Sequence, residues 1–213
     1  MVQLEKSILN DALVDSYKNP YPGFRGQLRR CSADNLCDRL GFAVGESDFA
    51  IEARRIDPYR TDKDNERIMS YVDSKIGRFN GVMISVPRKI GEPGFVIYFP
   101  ERKNRTVAVV SHELKHVADD AVHGHLAFSS YGSPDAPVKE VSINKLLVPF
   151  GVGLVGMLVT GEQWVGYMGV GVSTIIWGVN YNERSKYFNN LNEVRARKFA
   201  QQMVRKHGRS YDW

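Results

Sequence analysis

Residues 104–121 read NRTVAVVSHELKHVADDA, and the rest of the chain is read outward from this stretch. Val107, Val110, Leu114, Val117 and Ala121 recur at helical spacing and form one apolar stripe. Asn104 stands where an N-cap is expected. Opposite the stripe lie His112, Glu113, His116 and Asp120, and the run from His112 to His116 is an H-E-x-x-H motif. Residues i and i+4 stack on one helix face, so two imidazoles can grip one zinc ion. Glu113 lies about 100° around the helix from His112, placed to reach a metal-bound water rather than the metal. Zinc lowers the pKa of such a water toward about 7, and a glutamate takes its proton as the water attacks a carbonyl.

A catalytic zinc needs a third protein ligand. A metzincin would place it at position 122, which here is Val122. His123 and His125 flank Gly124 at the helix end and read as loop histidines. The better candidate is Glu193, in NEVRARKFA over residues 192–200. On a helix Glu193, Ala196 and Ala200 share a face, and the small alanines let that helix approach the His112–His116 helix closely.

The pair H-E-x-x-H and a later E-x-x-A-x-x-F-A (Glu193, Ala196, Phe199, Ala200) resembles a gluzincin-type zinc metallopeptidase. The glutamate helix is similar to that of ImmA/IrrE-like peptidases. Hydrophobic helices between the two motifs are the pattern of HtpX-like and CAAX-protease-like membrane peptidases. The resemblance covers about residues 81–125 and 181–205. It implies that His112, His116 and Glu193 bind one Zn2+ per chain and that Glu113 is the general base. Two positions depart from the pattern: Lys115 is charged where an uncharged residue is usual, and Arg197 replaces the aspartate of the membrane branch. Asp120, one turn after His116, is expected to orient that imidazole instead, and Asp119 is less well aimed. Tyr187 and His207 are guesses for the oxyanion-stabilising group.

Ahead of the motif, residues 82–86 (VMISV) and 95–99 (FVIYF) read as a β-hairpin. Phe95, Val96, Ile97, Tyr98 and Phe99 are the expected strand for an extended polypeptide substrate. Residues 1–80 read as an N-terminal helical region, with helices over 3–17 and about 61–78 and a short helix capped by Ser32 and ended by Gly41. Residues 32–56 faintly resemble a helix-turn-helix, although nucleic acid is not the expected partner. Cys31 and Cys37 are expected to be free thiols, and two cysteines exclude a disulfide-rich scaffold.

After the motif, residues 146–160 and 164–179 contain no charge within either run, and only Gly161-Glu162-Gln163 parts them. Each is about 23 Å long as a helix, against a bilayer core of about 30 Å. Lys139, Lys145, Arg184 and Lys186 flank the pair, so a hairpin inserted from the cytoplasmic side is expected, with a soluble cytoplasmic protein as the alternative. Arg195, Arg197, Lys198, Arg205, Lys206 and Arg209 would then lie on anionic lipid. The first twenty residues carry charges throughout, so export is not expected. A net charge of +5 in 213 residues is too mild to specify a nucleic-acid binder.

The expected architecture is α+β and mostly helical: a zincin-like core over 81–213, with a small β-hairpin or sheet and a hydrophobic helical hairpin inserted at 138–181. The expected function is zinc-dependent endopeptidase. The alternatives are a non-catalytic metal-binding or DNA-binding regulator of ImmA/IrrE-like type, and a membrane interaction protein.

Overall fold

The structure, a computed structural model, describes residues 3–22, 24–73, 80–124 and 190–208, together with 152, 154–163, 167, 168, 170 and 172. Its elements are α1 (Gln3–Lys18), α2 (Ala33–Cys37), β1 (Leu40–Val44), α3 (Gly45–Ile56), α4 (Asp62–Asp73), β2 (Val82–Val86), β3 (Gly94–Phe99), a 3-10 turn (Arg102–Asn104), α5 (Val107–His123) and α6 (Leu191–His207). This is α+β and mostly helical, as the sequence suggests. The chain forms two compact units, Met1–Gly132 with Val194–Trp213, and Ser133–Glu193. The cut falls inside α6, which is one continuous helix.

The expected hairpin forms, with β2 antiparallel to β3 and Met83 opposite Ile97. A third strand was not foreseen. β1 pairs in parallel with β3, Leu40 opposite Phe95 through Val44 opposite Phe99, and gives the order β1-β3-β2. This corrects three expectations. Phe95 to Phe99 form the central strand, with both edges bonded and every side chain buried, so no edge remains there for a substrate to join. Gly41 lies in β1 rather than ending a helix, and the helix capped by the Ser32 hydroxyl stops at Cys37. A strand between α2 and α3 also replaces the helix-turn-helix. The continuous apolar run Leu40-Gly41-Phe42-Ala43-Val44 suits a largely buried strand, and pairing with β3 overrides the weak helical cue.

The alternation of β3 builds a core on each face of the sheet. Phe95, Ile97 and Phe99 pack with Ile8, Leu9 and Leu13 of α1 and with Val110, Leu114 and Val117 of α5. Val96 and Tyr98 pack with Phe49, Ala53 and Ile56 of α3 and with Met69 and Val72 of α4. The N-terminal segment is therefore part of the same unit as the motif helix, and residue 80 is not a boundary. Gly94 begins β3 because a Cβ there would fall 2.1 Å from Ile56 Cγ2 and 2.9 Å from the Arg39 carbonyl oxygen.

In the second unit, residues 154–160 are helical. Gly161, at φ 73°, ends that helix with its N–H on the Met157 carbonyl (2.9 Å), the αL termination that glycine favours. Leu158 (79%) and Val159 (78%) are exposed, as are Val155, Tyr167 and Met168. Among the described residues no helix is long and apolar enough to cross a membrane. The flanking residues Lys139, Lys145, Arg184 and Lys186, and also His125, Tyr187 and Arg209, lie outside the described residues.

Candidate metal centre

Helix α5 begins at Thr106, whose extended backbone frees its hydroxyl to accept from the Val109 N–H (3.3 Å). Asn104, the expected cap, is taken up by the preceding 3-10 turn. The helix ends at Gly124, at φ 84°, whose N–H reaches the Asp120 carbonyl (2.8 Å). The apolar stripe of α5 is anchored between α1 and the sheet, which holds the opposite face in place.

On that face His112 Nε2 and His116 Nε2 stand 3.1 Å apart, with the two rings nearly perpendicular. Glu193, in the first turn of α6, joins them: one ligand atom from each of His112, His116 and Glu193 lies within 4.8 Å of the others. The donor set fits a zinc ion. Two imidazole nitrogens bound at about 2.0–2.1 Å in a tetrahedron are roughly 3.4 Å apart, close to the separation seen. Glu193 is only 4% exposed and His116 is buried, and a buried carboxylate is costly unless positive charge offsets it.

Glu113, next to His112 in α5, also reaches the sheet. Its Oε2 accepts from the Met83 N–H (2.8 Å) on β2. Since β2 is the outer strand beside β3, this amide lies on the sheet edge nearest the motif. The strand adjoining the candidate base is thus β2, not β3.

The other expected residues divide. Asp120 is buried one turn beyond His116, near Tyr21, whose phenol pKa is raised by burial first, then by the Asp119 carboxylate and least by Asp120. His207 falls in the last turn of α6, about 21 Å along the helix from Glu193, too far to serve as an oxyanion donor. His123 is helical and buried rather than a loop residue. Its Nδ1 meets the Asp119 carbonyl (2.9 Å), its ring packs on Tyr21 and Phe24, and burial pushes its pKa down.

A buried ion network beside the centre went unread in the sequence. Lys115, the departure from the motif, is 0% exposed and pairs with Asp15 (2.7 Å) and Asp119 (3.0 Å). Asp119 also accepts from Ser16 Oγ (2.8 Å) and from two nitrogens of Arg195, Nε (3.2 Å) and Nη2 (3.0 Å). Burial alone would raise the Asp119 carboxyl. The Arg195 fork, the Lys115 ammonium and the Ser16 hydroxyl outweigh it and hold the pKa below the ordinary carboxylate value. Burial would likewise lower the Arg195 pKa, and the Asp119 carboxylate raises it instead. Arg195 therefore does not lie on lipid as expected, and Lys206 pairs with Asp11 (2.6 Å). The available signal was the i,i+4 spacing of Lys115 and Asp119.

Comparison with protein-family models, with curated proteins and with solved structures returns no match to the chain.

Proposed function

We propose that this protein is a zinc-dependent endopeptidase with a zincin-like core. The observation that carries the reading is the meeting of His112, His116 and Glu193, from two helices remote in sequence, within 4.8 Å and largely buried. These three side chains would hold the metal. A zinc ion there would supply a water of pKa near 7 and polarise a carbonyl. Glu113 would take a proton from the attacking water and deliver it to the leaving amine nitrogen. The outer edge of β2, beyond the Met83 N–H that Glu113 already occupies, is where an extended substrate would pair by backbone hydrogen bonds.

The reading is tested by metal content. Purified wild-type protein is expected to retain about one zinc per chain by atomic spectroscopy. His112→Ala and Glu193→Ala should each lose most of it, because an open catalytic site relies on three protein ligands. Equal zinc in wild type and both variants, or none in wild type, overturns the proposal.

We further propose that the exposed apolar residues of 152–172 rest in a lipid surface, which keeps the peptidase at a membrane. The support is the exposure of Leu158, Val159, Tyr167 and Met168, more apolar surface than a solvated helix usually shows. The protein is expected to float with phospholipid vesicles. Leu158→Asp/Val159→Asp should release it, and an unchanged partition would refute the lipid contact.

A further inference from the structure

We infer that Arg195 is a positioning residue for the third metal ligand. Its two-point grip on Asp119 fixes the rotation of α6 about its own axis, and so presents Glu193 to His112 and His116. The inference rests on the metal-centre reading above.

Successive helix positions turn by about 100°, so Glu193 and Arg195 lie about 200° apart, on opposite flanks of α6. Both nevertheless reach α5: Glu193 beside His112 and His116, Arg195 at Asp119, about one turn further along. Ala196, fully buried, follows directly in the same turn. Helix α6 therefore straddles α5 at its first turns. Burial of Phe199 and Met203 holds the helix down, at roughly 2 kcal/mol each. Such contacts are non-directional and define rotation poorly. A guanidinium fork on a carboxylate is directional.

The rest of the guanidinium is also fixed. Nη1 donates to the Asn19 carbonyl (2.5 Å), and the group lies 4.6 Å from the Tyr21 ring centre. Three segments thus define its plane: α5, the residue just past α1, and the loop at Tyr21. Asp119 is braced in turn by Lys115 and Ser16. Lysine at 195 would keep the charge but lose the fork, and this separates positioning from mere charge pairing.

The test compares metal affinity of chelator-stripped wild type, Arg195→Lys and Ser16→Ala, by zinc competition with a chromophoric chelator, alongside melting temperatures. Arg195→Lys is expected to bind zinc about ten- to a hundredfold more weakly, the usual effect of removing an outer partner of a metal site. Ser16→Ala also loosens Asp119, yet should keep wild-type affinity despite a lower melting temperature. Wild-type affinity in Arg195→Lys overturns the positioning role, as does a loss of affinity that tracks melting temperature in both variants. Absence of zinc binding by wild type overturns the metal centre itself, and this role with it. Should Arg195→Lys not fold, the double variant Arg195→Gln/Asp119→Asn, which removes both charges and the fork, carries the same expectation.

Discussion

Glu113→Gln is expected to lose peptide hydrolysis by a factor of at least about 10²–10⁴ while retaining its zinc. The amide is nearly isosteric, and its carbonyl oxygen can still accept from the Met83 N–H, so the contact between α5 and β2 persists. What the amide cannot do is take a proton from water. The measurement is cleavage of a casein-like substrate by both proteins, with metal content determined on the same samples. Equal activity in the two would remove Glu113 from the chemistry. Stoichiometric zinc with no cleavage by wild type would favour a non-catalytic metal-binding regulator.

Asp119→Ala is expected to cost about 3 kcal/mol of stability at neutral pH, near the lower end for breaking a buried ion pair. Lys115 keeps Asp15, but Arg195 loses both arms of its fork. For a chain of this size the melting temperature should fall by roughly 10 °C. The pH dependence has a definite sign. The native Asp119 carboxyl has its pKa held below 3.8, its ordinary value. The ionised group therefore binds protons less readily in the folded than in the unfolded state, and its contribution is fully present above pH 3.8. That contribution is lost as the pH falls through the lower native value. The gap between wild type and variant should accordingly be wide at pH 7 and narrow progressively as the pH falls below 3.8 through the native value. A gap independent of pH would show that packing, not charge, makes Asp119 important.

The sequence disclosed the residues whose spacing is itself the signal. His112 and His116 are one helical turn apart, and Glu193, Ala196 and Ala200 repeat at helical spacing, so each set could be placed on a face before any fold was known. In the fold, ligand atoms of His112, His116 and Glu193 come within 4.8 Å of one another. Non-local pairing was not legible. Residues 40–44 carry a pattern too short to separate a strand from a helix end, and only their pairing with β3 decides it. The substrate strand was misplaced for the same reason: which arm of a hairpin lies at the edge depends on a third strand. Lys115 looked like a flaw in the motif because its partners Asp15 and Ser16 come from α1, about a hundred residues earlier. Their convergence follows from the docking of α1 on α5, which no local pattern encodes.

The parallel pairing of β1 with β3 joins partners 55 positions apart at every step, from Leu40 with Phe95 to Val44 with Phe99. Closing so large a loop costs chain entropy before the contact rewards it. A chain growing from the ribosome cannot complete its sheet until Phe99 has emerged, and Glu193 follows far later. Assembly is therefore staged: the scaffold can settle first, and the ligand cage can close only after Glu193 has followed.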